Sequence, residues 1–538
     1  MLTPSAHTDT FCRDHLPPET EWPEFVFDLP ALRYPDRLNC ATALLDAAVA
    51  GHGRAQPCLL TSAESWTYGD LLDRANQIAH VLTDDYGLVA GNRVLLRAPN
   101  TLWLVACWFG VVKAGGVVVT TMPLLRAPEL SKLIELTRPV LALCDARLLD
   151  ELSAVDPSVL IVQVGGTTPD DLTRRAAAMP TAFDDVATAA DDVVLLAPTS
   201  GTTGVPKVTM HFHRDVLANA DTFAAHILAP RPDDVFTGTP PLAFTFGLGG
   251  LVVFPFRVGA SVVLLDKIDP ANLVEAIEKF AVTVLFTAPT AYKALLKRDD
   301  LRRLKSLRRC VSAGEHLPVA VFNGFHEKTG VKIINGIGGT EMLHIFISAA
   351  DDDIRPGSTG LAVPGYYAEI QDEAGHPVQD GTPGFLAVKG PTGCRYLADS
   401  RQRDCVRNGW NRTGDTYTRD ADGYFWYQAR NDDMIVSAGY NIATPEVEAV
   451  LDQHPDVVES AVIGVPDADR GMLVHAAVVL RPGVPADADK VRELQDFVKR
   501  TAAPYKYPRS IEFVDSLPRN PSGKLLRFKL RERWSATR

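Results

Sequence analysis

The densest group of ligand-binding side chains is the run Thr199, Ser200, Gly201, Thr202, Thr203, Gly204, Val205, Pro206, Lys207, with four hydroxyls, two glycines and a lysine. Glycines let neighbouring backbone N–H groups turn toward one ligand, hydroxyls add donors, and lysine supplies a point charge. That inventory suits a polyphosphate. It is not the G-x-x-x-x-G-K-[ST] loop. Counted from Gly201, Pro206 stands where the second glycine belongs and Val208 where the last hydroxyl belongs. An ordinary polar turn would not need this density of donors.

Three further runs carry chemistry-bearing types. Met210-His-Phe-His-Arg-Asp215 follows the loop directly, and on an extended strand His211 and His213 would face one way. A metal pair is conceivable, but no third ligand is close by, so a structural or phosphate-side role is favoured. Thr413-Gly-Asp415 read alone is an Asp in a turn, bonding its own backbone. Pro518-Arg-Asn-Pro-Ser-Gly-Lys524 lies in a basic end, where eleven Lys/Arg stand against three Asp/Glu from Lys499 onward. Such an excess suits a solvated face as well as an anionic ligand.

The elements that must position these residues alternate. Val193–Ala197, Ser261–Leu265, Thr283–Thr287, Arg309–Ser312 and Val331–Asn335 read as short buried strands, while Ala271–Phe280, Thr290–Lys297 and Val319–Thr329 have helical spacing. Alternation of this kind predicts an α/β fold with mostly parallel strands and helices on the sheet faces. The loop above, Ser312–Glu315 and Gly336–Glu341 then fall at strand exits, where such sheets bind ligands. The character changes near Arg430. Thr444 reads as an N-cap with Pro445 in the first turn. Strands at Val457–Val465, Val474–Leu480 and Ser510–Val514 and a helix at Asp487–Thr501 complete a compact α+β domain. The boundary is set between 431 and 432, giving domains 1–431 and 432–538.

Composition bounds the rest. At 538 residues the chain exceeds one ordinary core, and 46% hydrophobic with 22% charged residues is the balance of a soluble protein. A net charge of −12 argues against a nucleic-acid partner. The eight cysteines are scattered without paired-ligand spacing, which fits a reducing cytoplasm. The N-terminal stretch has acidic residues and prolines where a secretory leader needs an apolar core. Leu102–Thr121 is apolar, but Lys113, Gly115-Gly116 and the β-branched run after them predict a short helix and a strand, not a membrane span.

Taken together, the motifs resemble the adenylate-forming superfamily of acyl- and aryl-CoA synthetases, adenylation domains and luciferases, in order over more than half of the chain. The resemblance implies a large N-terminal domain of packed α/β sheets with a small β-barrel-like subdomain, followed by a mobile C-terminal domain. It makes Thr199, Ser200, Gly201, Thr202, Thr203, Gly204 and Lys207 the ATP-phosphate loop, and places Gly314 and Glu315 against adenine. In the segment Gly336, Ile337, Gly338, Gly339, Thr340, Glu341, it puts Thr340 on the α-phosphate and Glu341 on Mg²⁺, a hard cation that suits a carboxylate. Asp415 and Arg430 would take the ribose, Asp432 the hinge, Ala438 and Gly439 the approach of coenzyme A, and Lys524 the developing charge during adenylation. Val436 stands where the family usually has a lysine, which leaves that lysine's contact in the thiol-transfer state unaccounted for.

Pro241–Gly249 and Gly339–Phe346 are similar to the benzoate–CoA ligase branch, in which these stretches bound a flat aryl pocket. Phe244, Thr245, Phe246 and Gly338 would line it, with His344 and Ile345 near the carboxylate end; plain core packing is the alternative for the Phe and His side chains. His211-Phe-His213, Asp9–Asp14 and Ser437–Ile442 are most similar to the 2-aminobenzoate (anthranilate)–CoA ligases. An ortho-amino group would need a local acceptor, and the sequence identifies none. The resemblance implies the partners ATP, coenzyme A and an aryl carboxylate; a homodimer is compatible with the sequence. An aryl-acid adenylating enzyme serving a carrier-protein thiol is the alternative, and a nucleotide-binding regulator without turnover the non-enzymatic one.

Overall fold

Runs of β-branched and aliphatic residues set the frame. Arg93–Arg97, Val117–Thr121 and Leu141–Asp145 are buried along their whole length, as strands covered on both faces must be. The protein is described by a computed structural model covering residues 2–155, 159–199, 206–265, 267–430, 433–437, 440–467, 471–502, 506–519, 523 and 525–536. By their internal contacts the residues fall into two units, Met1–Ala368 with Ala387–Arg412, and Glu369–Leu386 with Thr413–Arg538.

In the larger unit those three strands run parallel with Leu160–Val164 and Val193–Thr199, and Lys207–Phe212 returns antiparallel at the edge. A nine-stranded sheet lies in the same unit. Its six central strands, Ile333–Gly338, Arg309–Ser312, Val284–Thr287, Val235–Gly238, Ser261–Val263 and Pro57–Leu60, are all parallel. Helices Pro270–Lys279, Pro289–Leu296 and Val319–Thr329 pack on it through Leu273, Ile277, Tyr292, Leu295 and Phe325. The α/β alternation expected from the sequence is thus present, within a residue or two at most ends.

The apolar stretch is also as expected, with helix Leu102–Lys113 and then strand Val117–Thr121. Thr101 caps the helix by accepting from the Leu104 N–H at 3.1 Å. Its last residue, Lys113, is wholly buried and paired with Asp46 at 2.7 Å and Asp185 at 2.9 Å. Among the described residues no helix is long and apolar enough to cross a membrane.

A five-stranded sheet of Tyr367–Gln371, Gly384–Lys389, Val406–Arg407, Trp410–Arg419 and Phe425–Arg430 supplies the small β-subdomain. In the smaller unit, Tyr440–Ala443, Met434–Ser437, Gly471–Leu480, Val457–Asp467 and Ser510–Phe513 form another sheet. Helices Thr444–Leu451 and Ala488–Thr501 cover it through Val447, Leu451, Leu494 and Val498. Asp487 caps the second helix, accepting from the Lys490 N–H at 2.9 Å. One expectation needs correction. Ala443, not Thr444, is the N-cap, and the Thr444 hydroxyl is buried inside the first turn with no partner among the described residues. With Pro445 already lacking its N–H, the helix leaves fewer donors for a cap to satisfy.

Asp185→Ala should leave Lys113 with one acidic partner at the buried end of its helix. The expected loss is about 1–3 kcal/mol, the cost of an unsatisfied buried polar group. It would be read as a lower urea midpoint; an unchanged midpoint contradicts this account of Lys113.

Candidate active site

The loop rich in hydroxyls spans an antiparallel hairpin. Thr199 and Lys207 are register partners, so its two ends are held side by side; Ser200, Gly201, Thr202, Thr203 and Gly204 lie outside the described residues. The extended segment 394–397 docks along the returning strand. The Met210 N–H donates to the Arg395 carbonyl at 2.7 Å and the Leu397 N–H to the Val208 carbonyl at 2.9 Å. Successive side chains of an extended segment point opposite ways. Tyr396 therefore reaches the loop side, where its hydroxyl donates to Glu341 Oε1 at 2.6 Å and accepts from Lys207 Nζ at 3.2 Å. The Lys207 ammonium also sits 4.8 Å from the centre of the Tyr396 ring. Sequence reasoning did not single out Tyr396.

Arg395 points the other way, into a salt bridge with Asp215, and both side chains are inaccessible to solvent. The guanidinium stacks 3.8 Å from the centre of the Phe212 ring. Burial pushes the Asp215 carboxyl up, but Arg395 and His211 outweigh it and hold the group below its ordinary value. His211, also buried, places Nε2 2.8 Å from the Thr340 carbonyl. A carbonyl only accepts, so Nε2 carries the hydrogen.

His213 does not share the His211 environment. The strand ends at Phe212, and His213 begins the helix His213–Asn219, where Asp215 accepts from the Phe212 N–H at 2.9 Å. His213 Nδ1 instead accepts from the Cys40 N–H at 3.1 Å, and burial pushes the imidazole down to about 3. The expectation that both imidazoles face one way is therefore corrected.

Gly336, Ile337 and Gly338 end a parallel strand beside the one that ends at Ser312, the two being paired through Ser312 and Asn335. Gly314 and Glu315 thus leave the sheet next to Gly336–Glu341. Gly314 has φ +85° and open space around it. A Cβ on Gly338 would collide with the His344 carbonyl. Thr340–Met342 is a single 3-10 turn, closed by Leu343 at φ +69°. Glu341 is half-buried, and its Oε2 has no partner among the described residues. One carboxylate oxygen left without a partner among the described residues, near the loop lysine, fits a residue that would hold Mg²⁺, a hard cation suited to carboxylate oxygen.

The aryl-pocket candidates divide. His344 is 3% exposed and caged by aromatic rings, with centroid distances of 5.5 Å to Phe223, 5.5 Å to Phe246, 4.6 Å to Phe254 and 6.2 Å to Phe286. A side chain on Gly249 would strike the His344 ring, and one on Gly250 the Phe286 ring. Neither ring nitrogen of His344 makes a full hydrogen bond to a described residue. Burial pushes it down to about 3, against a smaller opposing pull from the Phe246 backbone. At neutral pH it is an uncharged imidazole with a donor and an acceptor to offer. Thr245 begins the short helix Thr245–Leu248 and Phe244 precedes it. Phe244 makes no ring contact with the cage among the described residues, and Ile345 is buried beneath Gly336. Phe223, Phe254 and Phe286 were not anticipated, because each sits in an apolar stretch indistinguishable from core.

In the smaller unit Asp415 and Arg430 are register partners on adjacent strands. Thr413-Gly-Asp415 is therefore strand, with Gly414 at φ +79°, rather than the turn its residue types suggest alone. Asp432, Ala438, Gly439 and Lys524 lie outside the described residues.

The sequence matches the AMP-binding enzyme family over residues 45–396 and the AMP-binding enzyme C-terminal domain over residues 446–524. It is 34% identical to the benzoate–CoA ligase of Thauera aromatica, over 93% of this chain and 97% of the relative. It is 32% identical to the 4-hydroxybenzoate–CoA/benzoate–CoA ligase of Rhodopseudomonas palustris, over 92% of this chain and 94% of the relative. Among solved structures, the anthranilate CoA ligase AuaEII in complex with anthranoyl-AMP superposes with a TM-score of 0.88 at 34% identity, over 95% of this chain and all of that one.

Two outcomes follow from this geometry. Asp215→Ala leaves Arg395 buried without its counter-charge and should cost about 3–5 kcal/mol in a denaturation series; a loss below about 1 kcal/mol contradicts the anchoring role. His213 and His344 are both held near 3, whereas an unfolded imidazole titrates at about 6.5. The unfolded chain therefore binds more protons in between, so stability is full above about pH 6.5 and falls as pH drops toward about 3. His344→Asn should make that decline shallower, and an identical slope would count against the neutral, buried assignment.

Proposed function

Because the chain belongs to the AMP-binding enzyme family, in the benzoate–CoA ligase branch of the adenylate-forming superfamily, we propose that it is an aryl acid–CoA ligase acting on 2-aminobenzoate or a related benzoate. As an AMP-forming acid–CoA ligase it works in two steps. The substrate carboxylate attacks the α-phosphorus of ATP, the bond to pyrophosphate breaks, and aryl-AMP forms. The thiolate of coenzyme A then attacks the aryl carbonyl and AMP leaves. Bound Mg²⁺ would neutralise phosphate charge, held on the protein side by Glu341.

The chain's own residues supply positioning and charge. Thr199, Lys207 and the loop between them are assigned to the phosphates, Thr340 to the α-phosphate, and Gly314 and Glu315 to adenine. Asp415 and Arg430 are assigned to the ribose, and Lys524 to the charge that develops on the α-phosphate oxygens and the leaving group. Asp432 serves as the pivot between the domains 1–431 and 432–538, and Ala438 and Gly439 guide the thiol arm.

The observation that carries the substrate reading is His344, a neutral imidazole whose nitrogens make no full hydrogen bond among the described residues, inside a cage of phenyl rings. The rings suit a flat aromatic acid. The imidazole lone pair is an acceptor of the kind an ortho-amino group needs, and its N–H is a donor for a carboxylate. Support for the amino-substituted acid also comes from the likeness to a structure that holds anthranoyl-AMP.

With coenzyme A as the sole acceptor, 2-aminobenzoate should head a panel of substituted benzoates in kcat/KM, and straight-chain acids should trail. His344→Leu should reduce the preference for 2-aminobenzoate over benzoate by about tenfold, the value of one hydrogen bond. A panel led by fatty acids would sink the pocket assignment. Aryl-AMP accumulating without thioester would instead point to a carrier-protein thiol as acceptor. Lys524→Ala should slow acid-dependent pyrophosphate release by about a hundredfold or more, as removal of comparable charge stabilisers does.

A further inference from the structure

Lys207 and Glu341 carry opposite charges and converge on one hydroxyl, that of Tyr396. They are not paired with each other. The phenol stands between them, accepting from the ammonium and donating to Glu341 Oε1, so both charges make a hydrogen bond to the same neutral group. Tyr396 is 1% exposed, and its backbone is pinned to the strand carrying Lys207, where it bridges Thr209. The hydroxyl therefore has little freedom to leave. Without it, a flexible lysine stem would let the ammonium close on the carboxylate, since opposite charges in a half-buried site attract strongly. A Lys207–Glu341 pair would withdraw the cation from phosphate and the carboxylate from a metal at once.

We infer that Tyr396 is a positioning residue whose hydroxyl keeps Lys207 and Glu341 apart and available, one for ATP phosphate and the other for Mg²⁺. The inference rests on the ATP-ligase reading above, and deepens it by assigning a task to a side chain outside the nucleotide motifs. Tyr396 makes no bond to substrate in this role. It acts on the two groups that do, by blocking their mutual neutralisation. The arrangement predicts a specific signature: loss of the hydroxyl weakens the gain in ATP affinity that Mg²⁺ provides, more than it weakens binding of ATP alone.

Calorimetric titration of the full-length protein with ATP, with Mg²⁺ and with EDTA, measures that gain without turnover. In the wild type Mg²⁺ should tighten ATP binding; in Tyr396→Phe the tightening should shrink by about tenfold, with thermal unfolding of the free protein little changed. The double variant Tyr396→Phe/Lys207→Met removes the ammonium that would occupy Glu341. It should regain much of the Mg²⁺ effect even though ATP alone binds more weakly. A structural defect at Tyr396 would not be repaired in this way. If Tyr396→Phe keeps the full Mg²⁺ effect, or if the double variant recovers none of it, the positioning role is overturned. If the wild type shows no Mg²⁺-dependent ATP binding, the ligase reading itself fails, and the two failures are told apart by that control.

Discussion

Arg395 and Asp215 meet in a part of the larger unit that water does not reach, and much of the candidate site hangs from their pairing. The guanidinium is held over the Phe212 ring while its backbone hydrogen-bonds to Met210, which fixes the register in which segment 394–397 docks. That register sends Tyr396 to the opposite face, onto Glu341 and Lys207. From the other end, Asp215 closes the first turn of the following helix and faces His211, which holds the Thr340 carbonyl. Both the hairpin bearing the proposed phosphate loop and the turn bearing Thr340 and Glu341 are thus referred to one buried ion pair. Such pairs add little net stability, because desolvation offsets attraction, yet breaking one is costly. Here the pair serves as a register device.

The proposed acid-binding side is built on different physics. Four phenyl rings and two glycines pack around an imidazole that stays uncharged at neutral pH. A charged histidine in such a place would compete with the phosphate side for the substrate carboxylate. A neutral one can orient the acid without trapping it. On the proposed assignment, selectivity rests on shape and one hydrogen bond, and discrimination among benzoates is expected to be modest except where a substituent meets the imidazole.

Much of the framework was legible in the sequence because periodicity and β-branched runs decide strands and helices directly. Arg309–Ser312 and Val319–Thr329 fall where the sequence places them. The errors have local causes. His211-Phe-His213 alternates like a strand, but Asp215 two residues on is a helix-start signal that outweighed the alternation. Thr444 looked like a cap by type and proved one residue too far inside, within the usual uncertainty of helix ends. The proposed ATP-side motifs were conspicuous because they are contiguous. Tyr396, Phe223, Phe254 and Phe286 were not, since their function arises from meeting in space. A tyrosine near the end of a long loop, or a phenylalanine in an apolar helix or strand, has no pattern of its own.

In the proposed reaction the carboxylate is activated as an adenylate before any thiol arrives. Single-turnover quench with ATP labelled in the α-phosphate, enzyme in excess and 2-aminobenzoate, but no coenzyme A, tests it directly. Labelled aryl-AMP should form stoichiometrically with the enzyme and remain bound. Adding coenzyme A should then convert it to aryl-CoA with release of labelled AMP. Label emerging as ADP, or thioester appearing with no aryl-AMP before it, would contradict the account.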